Sequence, residues 1–515
     1  MSHTVRNLGD LSDRSLPQER VAIIDLRDPQ QPREYSHRQM DELAGGVAHF
    51  LLERGYQRGD AIAIAALNRA EYIAAYFGIM RAGLVAVPLN IKVPADTLHY
   101  FIDNAAIKLV FADDERTRLL DGVVPVISFD DLSPTGFAAL IQPQAFTSVT
   151  PAADELAMML YTSGSTGRPK GVPLTHAGQS WALDATRFGG VEPDAAQARY
   201  IVAQPLFHMN GLFLVKRVFA ANGLLVVLPA FNMESYLQAL SHYRINIVTA
   251  VPTMFARLLR DPHINRYDFS ALHKVMLGSA PITLGLLNRI KAAFPGVVIS
   301  HGYGTTEAGP AVFGPHPDGL PTPPLSLGYP LESGEVKFAD GQQGDQGVLM
   351  MRNPAVTPGY HRLAEKSAEV LQDGWYYSGD VMRRDENGFY FFVGRADDMF
   401  VCSGENIYPG EVEKILESHP SVRQACVVPL PDEERSQVPV AFVVLQQGQS
   451  VTREALKQHA LAQGPAYQHP RRIAFIAELP WAATNKVDRQ SLRQLALTLE
   501  QQQRWEAPMP EAQHG

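Results

Sequence analysis

Hydrophobic positions in the first third of the chain switch between a helical repeat and short apolar runs. Ser36 is followed by a helical repeat whose apolar residues share one face: Met40, Leu43, Val47 and Leu51. Ser36 and Gln39 have the spacing of a capping box, in which each side chain satisfies a backbone amide of the other residue. Gly55 follows as a stop signal, so the pattern predicts a helix between these two points.

Short apolar runs and helical repeats then alternate along the chain. A first stretch predicts strands at 61–67, 84–89 and 108–112 and helices at 69–81 and 94–104. A later stretch predicts strands at 201–206, 224–228 and 245–250 and helices at 211–221, 233–243 and 253–259. Such alternation is typical of parallel βαβ units. We therefore expect an α/β protein with two similar halves in one large domain.

The pattern changes in the second half of the chain. Six prolines within 310–324 predict a loop, and short strands with Gly, Asp and Asn turns predict an all-β subdomain over 327–392. A helix at 409–416, strands at 424–428 and 438–445 and a helix at 453–460 then predict a small α+β domain. We place the boundary near Asp397, which gives domains of 1–396 and 397–515, and we expect the polar tail after Gln501 to fray.

Composition narrows the class of protein. The chain has 515 residues and a net charge of −9, which argues against a broad basic surface for nucleic acid. It contains two cysteines, Cys402 and Cys426, which exclude a disulfide framework and suit a reducing cytosol. The most apolar region, 211–231, is interrupted by Lys216 and Arg217, so no transmembrane helix is expected. The polar N-terminus carries no signal-peptide pattern, and we expect a cytoplasmic protein.

A loop rich in glycine and hydroxyl residues follows the apolar run 156–160. It reads Tyr-Thr-Ser-Gly-Ser-Thr-Gly-Arg-Pro-Lys-Gly-Val at 161–172. Such a loop can offer backbone amides, hydroxyls and one cation to a polyphosphate. It is not a Walker A loop, because Pro169 precedes Lys170 and Gly171 follows it. A flexible turn is the alternative on composition alone.

Two further stretches offer groups that suit a nucleotide. His-Gly-Tyr-Gly-Thr-Thr-Glu at 301–307 could lay an aromatic face on a base and offer hydroxyls and a carboxylate, although an ordinary strand-to-helix turn is the alternative. Ser-Gly-Asp at 378–380 precedes Arg395, and a carboxylate with an arginine could hold a ribose. Either residue alone is better explained as a turn aspartate or a surface arginine. Lys486, in Thr-Asn-Lys-Val-Asp-Arg at 484–489, would by itself be a surface lysine.

Taken in this order, and with Ser-Gly-Glu-Asn-Ile at 403–407, these stretches resemble the motifs of the adenylate-forming superfamily. That superfamily comprises acyl-CoA synthetases, adenylation domains and firefly-type luciferases. The resemblance covers about residues 20–500 and is strongest to 4-chlorobenzoate, 4-coumarate and medium-chain acid–CoA ligases. It implies a large N-terminal domain of two α/β halves plus a β subdomain, capped by a small mobile C-terminal domain. It also implies ATP, Mg²⁺, a carboxylic acid and coenzyme A as reactants.

The resemblance further implies roles for individual residues. The phosphates of ATP would be held by Thr162, Ser163, Gly164, Ser165, Thr166, Gly167 and Lys170. The adenine and ribose would be held by Ser279, Ala280, Pro281, Tyr303, Gly304, Asp380, Phe392 and Arg395. Thr306 would touch the α-phosphate and Glu307 would hold Mg²⁺. Lys486 would be the adenylation lysine, because a cation between the acid carboxylate and the α-phosphate stabilises the transition state.

The same resemblance implies a second arrangement for thioester formation. The small domain would rotate about Asp397, and Ser403 and Gly404 would come to line the CoA tunnel. His208 would border the carboxylate and the thiol entry, with a buried core histidine as the alternative. The acyl pocket would be lined by His208, Met209, Val251, Gly278, Gly302, Ala308, Gly309 and Pro310. None of these is a cation, and burying an unpaired second carboxylate is costly, so we expect an aromatic or medium-chain monocarboxylic acid.

Two other functions stay open at this point. A stand-alone adenylating enzyme could load the acyl group onto a carrier protein or an amine. A non-catalytic nucleotide-binding scaffold is less favoured, because it has no need for the full set of Lys170, Glu307, Asp380, Arg395 and Lys486. The leading prediction is an ATP-dependent acid–CoA ligase with small-molecule partners, no nucleic acid and the possibility of a homodimer.

Overall fold

The computed structural model describes residues 6–162, 168–187, 197–310, 312–339, 345–403, 405–432, 435–481 and 487–505. The helices in these ranges are α1 (His37–Glu53), α2 (Ala70–Arg81), α3 (Ala95–Asn104), α4 (Asp114–Leu120), α5 (Phe137–Leu140), α6 (His176–Arg187), α7 (Met209–Ala220), α8 (Met233–His242), α9 (Pro252–Leu258), α10 (Leu284–Ala293), α11 (Ala364–Val370), α12 (Pro409–Glu417), α13 (Arg453–Gln463) and α14 (Arg489–Gln501).

The strands follow the same chain order. They are β1 (Val21–Asp25), β2 (Arg33–Ser36), β3 (Ala61–Ala65), β4 (Val85–Pro88), β5 (Leu109–Ala112), β6 (Val126–Ser128), β7 (Leu156–Thr162), β8 (Lys170–Thr175), β9 (Arg199–Val202), β10 (Leu224–Val227), β11 (Ile247–Ala250), β12 (Lys274–Leu277), β13 (Val298–His301), β14 (Phe313–Gly314), β15 (Tyr329–Pro330), β16 (Glu335–Phe338), β17 (Gln346–Arg352), β18 (Leu371–Gln372), β19 (Trp375–Arg384), β20 (Tyr390–Arg395), β21 (Phe400–Cys402), β22 (Glu405–Ile407), β23 (Val422–Asp432), β24 (Ser436–Leu445) and β25 (Arg472–Phe475).

Two mostly parallel sheets form the α/β part of the large domain. One has six strands in the order β6-β5-β3-β4-β7-β8, and the other has seven in the order β13-β12-β11-β9-β10-β1-β2. Only the outer strands β8 and β2 run antiparallel to their neighbours. The predicted pair of α/β halves is therefore confirmed. The order of the strands in the sheet does not follow their order in the chain. Strand β1 lies beside β10, with Ile23 opposite Leu225.

Helix α1 shows why the sequence folds as predicted at this point. The Ser36 amide donates to the Gln39 Oε1 at 2.8 Å, and the Gln39 amide donates to the Ser36 Oγ at 3.2 Å. The apolar stripe that includes Met40, Val47 and Leu51 is fully buried in the core shared with α2. The capping box thus sets the start of the helix and the stripe sets its orientation.

The β subdomain contains the strands β16, β17, β19 and β18 in that order, with β20 also paired to β19. An all-β subdomain was predicted over 327–392. The prediction is wrong at α11, a helix that connects β17 to β18. The segment reads Ala-Glu-Lys-Ser-Ala-Glu-Val, which is mostly composed of good helix formers. The β19–β20 hairpin places Asp380 directly opposite Arg395.

The smaller C-terminal domain has its own sheet and core. Its strands run in the order β22-β21-β24-β23, with β25 parallel to β24, and helices α12, α13 and α14 accompany them. The tail was predicted to fray after Gln501, and this prediction is wrong for the residues up to 505. The Trp505 side chain is buried against Phe442, with ring centroids 6.1 Å apart, because its apolar surface completes this core.

Two other expectations can be compared with the described residues. Cys402 and Cys426 are both free and buried, in agreement with the absence of a disulfide framework. None of the helices in the ranges given above is long and apolar enough to cross a membrane.

Candidate active site

The acyl-pocket positions meet at the carboxyl ends of three neighbouring parallel strands. Val251, Gly278 and Gly302 directly follow β11, β12 and β13. The Gly278 amide donates to the Ala250 carbonyl at 3.1 Å, and the Gly302 amide donates to the Leu277 carbonyl at 2.8 Å. Open α/β sheets place ligands at this edge. These positions line a continuous cavity of about 2660 Å³ that also reaches the β subdomain and the small domain.

A buried carboxylate lies at the centre of the predicted ribose site. Asp380 is 7% exposed; its Oδ2 accepts from the Tyr303 hydroxyl at 2.5 Å and its Oδ1 accepts from the Arg395 Nη1 at 2.9 Å. Burial and the Asp380 charge raise the pKa of Tyr303 well above its usual value, so Tyr303 is a neutral donor. The three side chains, predicted from separate motifs, therefore form one hydrogen-bonded unit.

Arg395 also holds the residue predicted to be the hinge. Its Nε and Nη2 donate to the two carboxylate oxygens of Asp397 at 3.0 and 3.2 Å. Burial opposes its charge, but the Asp397 and Asp380 carboxylates outweigh burial and raise the pKa of Arg395. The strand pairing extends just past Arg395, where the Ala396 amide donates to the Gly379 carbonyl at 2.8 Å. Asp397 is thus the first exposed residue after a firmly paired strand.

Glu307 is positioned by a residue that the sequence reasoning missed. The Tyr360 hydroxyl donates to Glu307 Oε1 at 3.0 Å, and the Tyr360 ring lies beneath the Lys170 ammonium at 4.5 Å. Tyr360 thereby connects the end of the phosphate loop to the predicted metal ligand. No feature of the sequence around Tyr360 marks it for this role. A carboxylate at the predicted phosphate end of the cavity would suit Mg²⁺, which usually takes one or two protein carboxylates together with substrate phosphates.

The predicted adenine segment has a constrained backbone. Ser279 has a φ of +64°, and its Oγ accepts from the Asn210 side-chain amide at 3.2 Å. Gly304 has no room for a side chain, since a Cβ would lie 2.5 Å from the Gly309 carbonyl oxygen. His301 was quoted in the motif but given no role, and its Nε2 lies 3.3 Å from the Ala280 carbonyl oxygen. Burial lowers the pKa of His301, so a neutral imidazole supports this segment.

His208 lies in the cavity wall and is only partly buried. It is the residue before α7, and its ring packs on Phe207 with centroids 4.6 Å apart. Met209 follows and is 8% exposed. His208 is therefore not a fully buried core histidine, and its role at the substrate entry stays a prediction.

Most of the predicted site residues in the described ranges line this one cavity. They are Thr162, Lys170, His208, Met209, Val251, Gly278, Ser279, Ala280, Pro281, Gly302, Tyr303, Gly304, Thr306, Glu307, Pro310, Asp380, Phe392, Arg395 and Asp397. The residues that lie outside the described ranges are Ser163, Gly164, Ser165, Thr166, Gly167, Gly404 and Lys486.

Three predicted residues do not reach the cavity wall. Ala308 is fully buried and its carbonyl accepts from the Asn353 side chain at 3.0 Å. Gly309 has a φ of +92°, and a Cβ there would lie 2.8 Å from the Cβ of Ala355, so it shapes the turn behind Glu307. Ser403 is exposed on the β21–β22 hairpin of the small domain.

The cavity wall also carries cations that lie outside the predicted set of site residues. Arg217 on α7 and Lys274 on β12 line it, and the Lys274 side chain is mostly buried. Burial lowers the pKa of Arg217 to about 10, and burial together with Arg217 lowers the pKa of Lys274. At 1.5 Å per helical residue, Arg217 lies roughly 13 Å from His208. A charged residue within the apolar region 211–231 is a signal that could have pointed to the cavity. Arg217 was instead considered only as an interruption of that region.

Comparison with known proteins decides the family. A model described as AMP-binding enzyme matches residues 12–361, and one described as AMP-binding enzyme C-terminal domain matches residues 411–486. The chain belongs to the AMP-binding enzyme family. These are adenylate-forming ligases, so the resemblance found in the motifs is confirmed and the protein is an acid–thiol ligase.

Individual members of the family match over nearly the whole chain. The 2-succinylbenzoate–CoA ligase of Geobacillus sp. (strain WCH70) is 30% identical over 488 residues, which cover 93% of this chain and 95% of that protein. A fatty acid–acyl-carrier-protein ligase, ScoC of Streptomyces coeruleorubidus, is 30% identical over 90% of this chain and 91% of its own. The anthranilate CoA ligase AuaEII in complex with anthranoyl-AMP superposes with a TM-score of 0.87 at 27% identity, over 96% of this chain and 99% of that chain.

Proposed function

We propose that this AMP-binding enzyme is an ATP-dependent acid–CoA ligase that activates an aromatic carboxylic acid. The observation that carries this is one cavity in which the Tyr303–Asp380–Arg395 unit, Glu307 and the strand-end acyl positions converge. Two of the relatives compared above, the 2-succinylbenzoate and anthranilate ligases, act on aromatic acids. A cytoplasmic location and a homodimer stay predictions.

In the first step the acid carboxylate attacks the α-phosphorus of ATP, pyrophosphate leaves and an acyl-adenylate forms. Asp380 would accept the ribose hydroxyls and Thr306 would touch the α-phosphate, and both residues line the cavity. Glu307 would hold Mg²⁺, which offsets the repulsion between two anionic reactants. Lys486 would add a cation between the carboxylate and the α-phosphate.

In the second step the thiolate of CoA attacks the acyl carbonyl and AMP leaves with the electron pair of the broken C–O bond. We propose that this step needs a different placement of the small domain, with the boundary between 1–396 and 397–515 at Asp397. Support comes from Ser403, which lies away from the cavity in the arrangement described here. The Arg395–Asp397 ion pair would hold this first arrangement.

Replacing the hinge residue tests the two arrangements. Asp397→Pro should slow thioester formation about tenfold or more, because proline fixes φ, and should leave acid-dependent ATP–pyrophosphate exchange within about twofold. Asp397→Ala is the matched control, since it removes the ion pair without stiffening the backbone. Equal losses in both half-reactions, or equal effects of the two variants, would count against a hinge at this position.

The pocket geometry favours a flat acyl group. A Cβ at Gly302 would meet only the Leu277 carbonyl, at 3.8 Å, and a Cβ at Gly278 would meet only the Gly302 carbonyl, at 3.4 Å. A gap therefore lies beside these two glycines, between neighbouring strand ends. No packed side chain fills the space that a Cβ at either position would occupy. An aromatic ring fits such a gap better than a bulky branched chain.

Arg217 and Lys274 favour a second candidate, an aromatic acid that carries another anionic group away from the reacting carboxylate. Both side chains line the cavity, Arg217 from α7 and Lys274 from the start of β12, and a cation in a cavity wall can pair with an anionic group of the substrate. Arg217→Met should then raise the KM of such a diacid roughly tenfold to 100-fold, with the matched monocarboxylate unchanged. Equal effects on both acids would leave the simple aromatic acid as the substrate.

The direct test of the proposed function is CoA-dependent release of AMP. Benzoates, cinnamates, linear acids and diacids would be screened with ATP and Mg²⁺, with and without CoA. Turnover that requires CoA and one class of aromatic acid is expected. Acid-dependent pyrophosphate release without any response to CoA would instead favour transfer to a carrier protein or an amine, as the ScoC relative does with a carrier protein.

A further inference from the structure

The side-chain amide of Asn68 joins the two α/β sheets at the segment that leads to His208. Asn68 follows β3 of the six-stranded sheet and is 2% exposed. Its Nδ2 donates to the Gln204 carbonyl at 2.9 Å and to the Leu228 carbonyl at 3.1 Å. Its Oδ1 accepts from the Leu206 amide at 3.0 Å. Because Gln204 and Leu228 follow β9 and β10 of the seven-stranded sheet, Asn68 connects strand ends from both sheets.

The bonding pattern of Asn68 requires a carboxamide. Two carbonyls need N–H donors and one backbone amide needs an acceptor, and a carboxamide supplies both kinds of group in one plane. An aspartate would turn an oxygen towards the two carbonyls, and an apolar side chain would remove all three bonds. The Asn68 backbone amide is also held, since it donates to the Pro229 carbonyl at 3.3 Å.

Gln204 continues this connection to the strands of the predicted acyl pocket. Its side-chain nitrogen donates to the Thr249 carbonyl on β11, and its Oε1 accepts from the Ala203 amide at 3.3 Å. Gln204 is 6% exposed. Strand β11 ends just before Val251 of the predicted acyl pocket. The two side-chain amides therefore connect β3, β9, β10 and β11 at the edge where that pocket is predicted.

The segment that Asn68 holds ends at His208. The His208 amide donates to the Pro205 carbonyl at 3.1 Å, which closes a turn just before α7. Phe207 is 4% exposed, and its ring packs on the His208 ring. Asn68, Gln204 and His208 all line the cavity and all belong to the large domain. Their contacts with one another therefore do not depend on where the small domain lies.

We propose that Asn68 is a positioning residue for activation of the acid and acts through His208. The proposal rests on the proposed acid–CoA ligase function and on the predicted place of His208 at the substrate entry. Asn68 fixes the segment 204–208 against the strand ends of the acyl pocket, and a displacement of about 1 Å there can cost about 100-fold in rate. Asp380 and Arg395 lie in the β subdomain, so binding of ATP should not depend on this connection.

Asn68→Ala should lower kcat/KM for the acid by roughly 10- to 100-fold in acid-dependent ATP–pyrophosphate exchange, and should leave the KM for ATP within about twofold. The matched control is Asn7→Ala. The buried Asn7 side chain also donates to two carbonyls, those of Met80 and Val149. It also accepts from a backbone amide, that of Gly9, but Asn7 does not line the cavity. Its loss should lower the unfolding temperature comparably and leave both constants within about twofold of wild type.

A double variant separates positioning of His208 from a direct contact with the acid. His208→Ala should itself lower kcat/KM for the acid. Asn68→Ala added to His208→Ala should then cost no more than about twofold further, because the residue that it positions is gone. An undiminished loss in the His208→Ala background would overturn the proposal. Equal losses for the acid and ATP, or the same catalytic loss in Asn7→Ala, would also overturn it.

Gln204→Met keeps the proposal testable if Asn68→Ala does not fold. This variant removes the donor to Thr249 and keeps the length of the side chain. A loss that is specific to the acid and disappears in the His208→Ala background is expected, and any other pattern would overturn the proposal. Failure of the proposed function is a separate result, in which wild type shows exchange but no response to CoA. The exchange assay needs no CoA, so it still decides the role of Asn68.

Discussion

Lys486→Ala should abolish formation of the acyl-adenylate from acid and ATP, with a loss of roughly 1000-fold or more in rate. The reaction brings two anions together, and a lysine is a compact cation on a long stem that can lie between them. Lys486 is outside the described residues, but Trp481 and Val487, which flank that segment, both line the cavity. Both residues that flank the segment therefore lie at the cavity of the proposed site.

The second half-reaction provides the control for this variant. Synthetic acyl-adenylate and CoA should still give thioester at a rate close to that of wild type, because the lysine is expected to leave the site for that step. Acid-dependent ATP–pyrophosphate exchange and thioester formation would be measured on the same folded preparation. Equal loss of both would contradict the assignment of two arrangements to the two half-reactions.

Asp380→Ala should lower kcat/KM for ATP by roughly 100-fold, since charge-assisted hydrogen bonds contribute about 1.5–3 kcal/mol each. The variant removes the proposed acceptor of the ribose hydroxyls and leaves the Tyr303 hydroxyl without its partner. Arg395 keeps its ion pair with Asp397, so we expect the subdomain to stay folded. The loss should appear in the KM for ATP more than in the KM for the acid.

Asp345→Ala is the matched control for this prediction. Asp345 lies in the same subdomain and pairs with Arg384 at 3.5 Å, but it is well exposed and does not line the cavity. It should leave the steady-state constants unchanged, and both variants should unfold at a temperature close to that of wild type. A folded Asp380→Ala enzyme with an unchanged KM for ATP would remove Asp380 from the ribose site.

Local signals account for the parts of the fold that could be predicted. The capping box at Ser36 and the βαβ alternation depend on neighbours within a few residues, and both were confirmed. The insertion of β1 beside β10 could not be predicted in the same way. It joins Ile23 to Leu225, a pairing between distant parts of the chain that no local pattern encodes.

The same difference between local signals and long-range contacts applies to the residues of the candidate site. Asp380 and Arg395 were predicted together because each stands in a recognisable motif, and the hairpin places them opposite each other. Tyr360 was missed because its role comes from contact with Glu307, 53 residues away in sequence. Arg217 and Lys274 were missed because they lie on separate elements, α7 and β12, that only the folded chain brings to the same cavity.

The measurement that tests the central claim most directly follows the oxygen atoms of the acid. The enzyme would be incubated with ATP, Mg²⁺, CoA and an aromatic acid whose two carboxylate oxygens are ¹⁸O. Attack of the carboxylate on the α-phosphorus, followed by the thiol, predicts AMP that carries one ¹⁸O and a thioester that keeps the other. Label in inorganic phosphate together with ADP, or thioester formed with unlabelled AMP, would contradict an acyl-adenylate made and consumed at this site.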